Sequence, residues 1–237
     1  MKIKLLRFFK RLFIRLHLHV IFGWSEGFCL QLVWMSRLSR WTNANKKIPL
    51  NDFPSQWDYQ KRYQLYEYVY QKKIEGQPFH YLEFGVANGD SFRWWSKRDK
   101  NPNSEFDGFD TFTGLPEDFG QYKKGTFNTG NSVPALDDTR CKFHAGLFQQ
   151  TLPSFLKCFE NDKRLVIMMD ADLYSSTLFV LSYLAPYLKK GDIVFFDEFG
   201  VPLHEFRAFT QFQESFYLPM EPVATNNNYY FMAFQVK

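Results

Sequence analysis

The chain has 237 residues, enough for one α/β domain with a full hydrophobic core and some additional sequence. Its three cysteines have no paired spacing, which argues against a disulfide framework or a zinc site and suits a reducing compartment such as the cytoplasm. The net charge of +4 arises in the first twenty residues, which carry six basic side chains and no acid; the rest of the chain has a charge of −2. A nucleic-acid-binding domain would need a basic face, so we expect no nucleic-acid partner.

Residues 2–18 predict a basic amphipathic helix. Lys4, Arg7, Arg11 and Arg15 recur at steps of three and four residues and share one face, opposite a row of Leu and Phe side chains. Charges interrupt every apolar run, which argues against a secretory signal and against a membrane span. Two interpretations stay open. The helix lies on an anionic surface, such as the inner face of a membrane, or it packs against the domain or a second subunit of a homodimer.

A polar stretch at residues 42–51 predicts a linker. We therefore divide the chain into a helical extension over residues 1–50 and a folded domain over residues 51–237. Within the domain, a pattern of Tyr, Leu and Val over residues 56–75 predicts a helix that leads into the core and ends at the following Gly-Gln-Pro.

From residue 79 onward, predicted strands and helices alternate, which is typical of a parallel α/β sheet with helices on its faces. The strands are predicted at residues 79–84, 105–110, 140–144, 164–170 and 192–197. Helices are predicted at residues 92–96, 177–189 and 205–215, and residues 216–220 and 229–235 predict a terminal antiparallel hairpin. Residues 115–139 show no regular pattern, and we expect this long loop to cover the carboxyl edge of the sheet as a lid or substrate loop.

A glycine turn follows the first of these strands, with the spacing Glu-x-Gly-x-x-x-Gly from Glu83 to Gly89. Glycines let the backbone approach a ligand, and the start of the next helix leaves N–H groups free to donate. The Gly-x-Gly-x-x-Gly of dinucleotide-binding proteins is missing, which argues against a nicotinamide dehydrogenase. An acid at the strand end instead suits a cationic ligand such as S-adenosylmethionine, which carries an ammonium and a sulfonium group.

Acidic side chains end four of the predicted strands, at Glu83, Asp110, Asp170 and Asp197. Because the carboxyl ends of parallel strands share one edge, these acids should converge there. One strand-end acid is often a helix cap, but four at one edge are hard to explain as caps. Asp170, Asp197 and Glu198 offer oxygen ligands only, which suits Mg²⁺.

Several runs together resemble the class I S-adenosylmethionine-dependent methyltransferases, and within them the macrocin O-methyltransferase (TylF-like) family. The most specific are Gly-Phe-Asp-x-Phe-x-Gly-Leu-Pro at residues 108–116 and Asp-x-Asp-Leu-Tyr-x-Ser-Thr at residues 170–177. Shorter matching runs lie at residues 81–86, 124–127, 146–153 and 196–199. The resemblance covers about residues 79–209 and does not include the N-terminal extension.

The resemblance implies a Rossmann-like fold with a seven-stranded, mostly parallel sheet whose last strand is antiparallel. It also implies O-methylation of a small molecule, sugar or glycan, assisted by Mg²⁺. The residues that it places around the methionine end of the cofactor are Glu83, Gly85, Asn88, Gly89 and Ser91. Asp110, Thr111 and Phe112 would contact the ribose, and Gly146 and Phe148 the adenine side. Asp170, Asp197 and Glu198 match the metal-ligand positions.

The base that removes the acceptor proton is expected to be Asp170, with His144 and His204 as alternatives. A second interpretation of the whole chain is a catalytically inactive methyltransferase fold that serves as a scaffold or a membrane-associated binding module.

Overall fold

Seven strands form one sheet in the computed structural model, which describes residues 2–237. The strands are β1 (Phe79–Phe84), β2 (Glu105–Asp110), β3 (Cys141–Ala145), β4 (Arg164–Met169), β5 (Ile193–Phe196), β6 (Met220–Asn226) and β7 (Phe231–Val236). They lie in the order β3-β2-β1-β4-β5-β7-β6, and β1 to β5 are parallel. β7 runs antiparallel to both of its neighbours. This confirms the predicted fold class.

The α-helices of the described residues are α1 (Lys2–Arg15), α2 (His19–Phe22), α3 (Glu26–Ala44), α4 (Lys61–Val69), α5 (Asp90–Arg98), α6 (Phe148–Leu156), α7 (Tyr174–Leu184) and α8 (Glu205–Phe216). α4 and α5 cover one face of the sheet. α3, α6, α7 and α8 pack on the other face. The central strand β1 is buried along its whole length, and it therefore needs apolar or paired side chains on both faces.

A buried carboxylate joins three strands beneath α6. Asp107 accepts hydrogen bonds from Nε2 of His80 at 2.7 Å and from Nε2 of His144 at 2.6 Å. Burial raises the pKa of Asp107, but the hydrogen bonds from the two imidazoles outweigh burial and hold that pKa below its ordinary value. His144 is therefore a partner of a buried acid, stacked on Phe109 at 4.5 Å.

The predicted linker at residues 42–51 is packed against the domain. α3 extends to Ala44, Ile48 is buried, and the carbonyl of Pro49 accepts a hydrogen bond of 3.0 Å from the Thr225 amide. Trp41 of α3 packs on Phe199 with ring centroids 5.0 Å apart. Residues 2–33 of the extension contain no buried side chain, and Trp34 is the first. None of the helices in residues 2–237 is both long enough and apolar enough to cross a membrane.

The terminal hairpin differs from its prediction in its first strand. β6 begins at Met220 because α8 continues to Phe216 and Tyr217 ends that helix in a left-handed conformation. β6 contains Pro222, which is tolerated because β6 is an edge strand with an irregularity at that point. α7 is displaced toward the amino terminus relative to the predicted 177–189, since Pro186 follows its end. α6 was not predicted at all.

Candidate functional site

A cavity of about 500 Å³ opens at the carboxyl ends of the parallel strands. This size is within the range of small-molecule sites. Its floor includes the predicted site residues Gly85, Asp110, Thr111, Phe148, Asp170, Asp197 and Glu198. Leu115, Pro116, Glu117 and Phe127 of the long loop form another wall, which confirms that residues 115–139 cover this edge of the sheet.

Gly85 makes the close approach between the ends of β1 and β4 possible. Its φ of +97° is a conformation that other residues rarely adopt, and a β-carbon there would overlap with the backbone carbonyl oxygen of Asp170. Its amide donates to the Phe109 carbonyl at 2.9 Å, and the Asp170 amide donates to the Phe84 carbonyl at 2.9 Å. At this point of the cavity floor, the backbone has a conformation and a close packing that only glycine permits.

Asp110 fixes the glycine turn. Its Oδ2 accepts hydrogen bonds of 2.8 Å from the amides of Val86 and Ala87, and its Oδ1 accepts one of 2.7 Å from the Phe112 amide. A carboxylate has about four acceptor positions, so Oδ1 can still accept from a ligand hydroxyl. Asp110 thus shapes the turn and faces the cavity at the same time.

Glu83 lies beneath the turn and does not line the cavity. It is 0% exposed, and its two oxygens accept hydrogen bonds of 2.6 Å from the hydroxyls of Ser91 and Tyr81. Burial raises its pKa to about 8. Glu83 and Ser91 together hold the end of β1 to the start of α5.

The other predicted cofactor residues also lie outside the lining. Asn88 is exposed at the turn, and Gly89 lies under Pro134 of the long loop, whose Cγ would be 2.9 Å from an added β-carbon. Phe112 is buried in the core beside Phe143. Gly146 follows β3, where its amide donates to the Asp110 carbonyl at 2.9 Å.

Carboxylates crowd one side of the cavity. Asp170, Asp172, Asp197 and Glu198 line it, and Glu205 lies directly behind them and accepts a hydrogen bond of 2.9 Å from the Glu198 amide. Burial, followed by repulsion from Asp170, raises the pKa of Asp172 to about 9. Burial raises the pKa of Glu198 to about 7. The group therefore favours any ligand that brings positive charge.

Arg62 of α4 is the basic side chain that meets these acids, and it is 1% exposed. Its Nη2 lies 3.2 Å from Oδ2 of Asp170 and also pairs with Oδ2 of Asp197. Its Nη1 donates to the hydroxyl of Tyr59, whose ring centroid lies 4.0 Å from the guanidinium carbon. Sequence reasoning missed Arg62, because one arginine in a Tyr-rich helix carries no motif.

Three acidic oxygens of the group are buried without a hydrogen-bond partner: Oδ1 of Asp197 and Oε2 of Glu198 in the lining, and Oε1 of Glu205 behind it. Oε1 of Glu198 accepts from the Tyr230 hydroxyl at 2.9 Å. The tightest set of possible metal ligands in residues 2–237 lies elsewhere: His80, Glu105 and Asp107, whose ligand atoms are within 4.8 Å of one another. In that set His80 is hydrogen-bonded to Asp107, and Glu105 is paired with Lys163.

Neither alternative base lines the cavity. His144 is bonded to Asp107 on the face under α6. His204 precedes α8, where its Nδ1 lies 3.4 Å from the Tyr174 amide and its ring packs on Phe119. Burial lowers the pKa of His204. Among the candidates, Asp170 is the acid that lines the cavity.

Comparison with known proteins identifies related sequences and folds. Residues 64–230 match the family model described as "Macrocin-O-methyltransferase (TylF)". The structure is similar to that of CalS11, a calicheamicin methyltransferase, at 24% identity over 75% of this chain and 78% of that one, with a TM-score of 0.57. It is also similar to the O-methyltransferase NovP, at 18% identity over 87% of this chain and 98% of that one, with a TM-score of 0.56.

A ligand-free structure of CalS11 is described as a TDP-rhamnose 3'-O-methyltransferase. It matches at 23% identity over 75% of this chain and 78% of that one, with a TM-score of 0.52. Identities this low establish the fold. No curated protein sequence matches the chain.

Proposed function

Because the chain belongs to the macrocin O-methyltransferase (TylF) family, we propose that its carboxyl-edge cavity methylates a hydroxyl group of a sugar, a glycan or another small molecule. The chain is an S-adenosylmethionine-dependent methyltransferase. The observation that carries the proposal is the convergence of Asp110, Asp170 and Asp197, from three strand ends, on one cavity under a long loop.

The cavity fits S-adenosylmethionine in its backbone and in its charge. Gly85 lets the ends of β1 and β4 meet at the cavity floor, and we infer that Asp110, with Thr111 beside it, accepts hydrogen bonds from ribose hydroxyls. Phe148 at the start of α6 offers an apolar face for the adenine ring. We assign Glu83 and Ser91 to holding the turn, formed in part by Asn88 and Gly89, below the methionine end. We assign Phe112 and Gly146 to holding Asp110 through their backbone amides.

Asp170 is our candidate for the base. When bound, the cofactor supplies a methyl group on a positively charged sulfur, and the acceptor oxygen takes that methyl as the carbon–sulfur bond breaks. The residues of the chain must hold the acceptor in line and receive its proton. Asp170 lines the cavity, and burial raises its pKa, which makes it a better proton acceptor than a solvated carboxylate.

The donor set of Asp170, Asp197 and Glu198 has the chemistry that Mg²⁺ prefers, and the two unpaired oxygens of Asp197 and Glu198 leave room in that set for a cation. We propose that these three residues hold Mg²⁺ when it binds. The ion would supply positive charge next to the acceptor oxygen and stabilise its anionic form.

The charge of the lining favours a neutral or cationic acceptor. Glu117, Asp172 and Glu198 add to the three strand-end acids, and the lining contains no Lys, Arg or His. An anionic acceptor would be repelled unless its charge stays outside the cavity. A sugar hydroxyl fits this lining, and CalS11, with a similar fold, is described as a TDP-rhamnose 3'-O-methyltransferase.

We propose further that the enzyme works at the inner surface of a membrane, held there by residues 2–25. Six basic side chains and no acid lie in this segment, and twelve of its large apolar side chains are exposed, among them Phe8, Ile21 and Trp24. This combination is typical of helices that lie on anionic lipid. The competing explanation is a homodimer that buries the same side chains.

Transfer of a labelled methyl group tests the proposed activity. The wild-type chain should convert S-adenosylmethionine to S-adenosylhomocysteine in the presence of neutral saccharides and place the label on oxygen. Asp170→Asn should bind the cofactor and lose transfer by about a hundredfold or more, as expected for loss of a general base. A chain that binds neither cofactor nor saccharide would instead be a scaffold.

A further inference from the structure

Arg62 is the basic residue that meets the acids of the site, and the proposed reaction leaves it without a role. It precedes the family match at residues 64–230. It is among the largest fully buried side chains of the described residues, and it lies between Tyr59 and Phe231, with its guanidinium carbon 5.5 Å from the Phe231 ring. Burying an arginine costs free energy unless acidic groups pair with it. The neighbours of Arg62 must therefore supply negative charge.

The compensation comes from the two strand-end aspartates. Asp170 and Asp197 both direct Oδ2 at the guanidinium of Arg62. Within residues 2–237, neither Asp170 nor Asp197 forms an ion pair with any other basic side chain. Arg62 therefore supplies positive charge between two adjacent buried carboxylates that would otherwise repel each other.

We propose that Arg62 is the resident countercation of Asp170 and Asp197, and that a divalent ion binds these carboxylates only in competition with its guanidinium. The inference rests on the proposed function because it concerns the same site. Arg62 acts as a positioning residue: it orients the two carboxylates before any ion or ligand arrives.

The geometry supports competition between the two cations. The oxygens bonded to Arg62 belong to two of the three proposed metal ligands, and an ion that used those oxygens would lie within a few ångströms of a fixed positive charge. Repulsion at that distance is substantial in a buried site. A cation that used only the unpartnered oxygens of Asp197 and Glu198 would still lie close to the guanidinium, because Asp197 is itself paired with Arg62.

The test is Mn²⁺ binding to the full chain, measured by calorimetry and by electron paramagnetic resonance, on wild type and on Arg62→Met. We expect Arg62→Met to bind Mn²⁺ about tenfold more tightly or better, which corresponds to about 1.4 kcal/mol. Its melting temperature should be lower than that of wild type without Mn²⁺ and should recover when Mn²⁺ is saturating. Neither measurement requires methyl transfer, so a failed activity assay would overturn the proposed function and leave this inference standing.

Arg98→Met is the matched control. Arg98 also stacks on a tyrosine, with its guanidinium carbon 4.1 Å from the Tyr70 ring, and it pairs with Glu67 at 2.8 Å, away from the cavity. This variant should keep the wild-type Mn²⁺ affinity. Arg62→Lys keeps the charge and should keep that affinity as well.

Two results would overturn the inference. One is an Mn²⁺ affinity of Arg62→Met that equals or falls below that of wild type. The other is an Arg62→Met chain that stays unfolded even with saturating Mn²⁺ while Arg62→Lys folds, since a divalent ion would then be unable to replace the guanidinium.

Discussion

The α-carbon of Gly85 faces the backbone carbonyl oxygen of Asp170 so closely that no β-carbon fits between them. This contact joins the end of β1 to the end of β4, and both residues line the cavity. The cofactor turn and the proposed base are thus positioned by one backbone contact.

Gly85→Ala should therefore unfold the site. The substitution combines a strained φ with an overlap between backbone atoms, and we expect a loss of more than about 3 kcal/mol in the free energy of unfolding. Gly125→Ala is the matched control, because its φ is +85° and nothing lies within 4 Å of an added β-carbon. It should cost about 1–2 kcal/mol, from the left-handed conformation alone. Equal losses in the two variants, measured by chemical denaturation, would contradict the overlap.

Glu83 should make stability fall as pH rises. Burial raises its folded-state pKa to about 8 from an ordinary 4.5, so between these values the folded chain keeps a proton that the unfolded chain has lost. The stability that protonated Glu83 contributes is fully present below pH 4.5 and is lost as pH rises through about 8. In this window the free energy of unfolding falls by up to about 1.4 kcal/mol per pH unit.

Glu83→Gln should flatten the dependence of unfolding free energy on pH in that window. Glu67→Gln is the control, because its hydrogen bond with Arg98 lowers the pKa of Glu67 and keeps it ionised there. An unchanged slope in Glu83→Gln would show that Glu83 is ionised in the folded chain.

Asp107 should have the opposite dependence on pH. The hydrogen bonds from His144 and His80 hold its folded pKa below the ordinary 3.8, so the stability it contributes is present above pH 3.8 and is lost as pH falls through the folded value. Asp107→Asn should lower the free energy of unfolding at neutral pH by about 2–3 kcal/mol, because one buried imidazole loses a charged acceptor.

Asp118→Asn is the comparison for Asp107. Asp118 also has a lowered pKa, through its hydrogen bond with Lys123, but both side chains are exposed. We expect no measurable change from this substitution in thermal unfolding. If both variants lost a similar free energy of unfolding, burial would not explain the effect of Asp107.

Reversing the charge of α1 should release the chain from anionic vesicles. Each basic side chain near such a surface contributes about 1 kcal/mol, so replacing Lys4, Arg7, Arg11 and Arg15 with Glu should weaken binding by about a hundredfold or more. Cofactor affinity should stay unchanged. The control replaces four exposed lysines of the domain: Lys97, Lys100, Lys124 and Lys157.

Vesicle sedimentation separates the membrane from the dimer explanation. Binding of wild type that needs anionic lipid supports the membrane surface. Persistent binding by the charge-reversed chain, or wild-type dimers that dissociate on deletion of residues 2–25 without any vesicle binding, would contradict it.

The fold was predictable because its strongest signals are local. The apolar runs of β1, β4 and β5 each end in an acid, and the alternation with helices places those acids at one edge. The errors lie where tertiary contacts decide. β6 tolerates Pro222 because it is an edge strand, and the polar residues 42–51 are held by Ile48 and Pro49.

The site was predictable only in part. Motif spacing predicted Gly85, Asp110 and Asp170 as site residues, and all three line the cavity at the ends of their strands. It also predicted a cofactor contact for Glu83, whose side chain is buried beneath the turn and does not line the cavity. Arg62 reaches the same acids from 108 positions upstream of Asp170, and no local pattern encodes such a contact.

Titration of the purified chain with S-adenosylmethionine, followed by calorimetry, tests the central claim most directly. Wild type should bind one cofactor per chain. Asp110→Asn should bind about tenfold more weakly or worse, since the amide can no longer accept from both the turn and the ribose. An absence of binding by the folded wild-type chain would contradict the methyltransferase account.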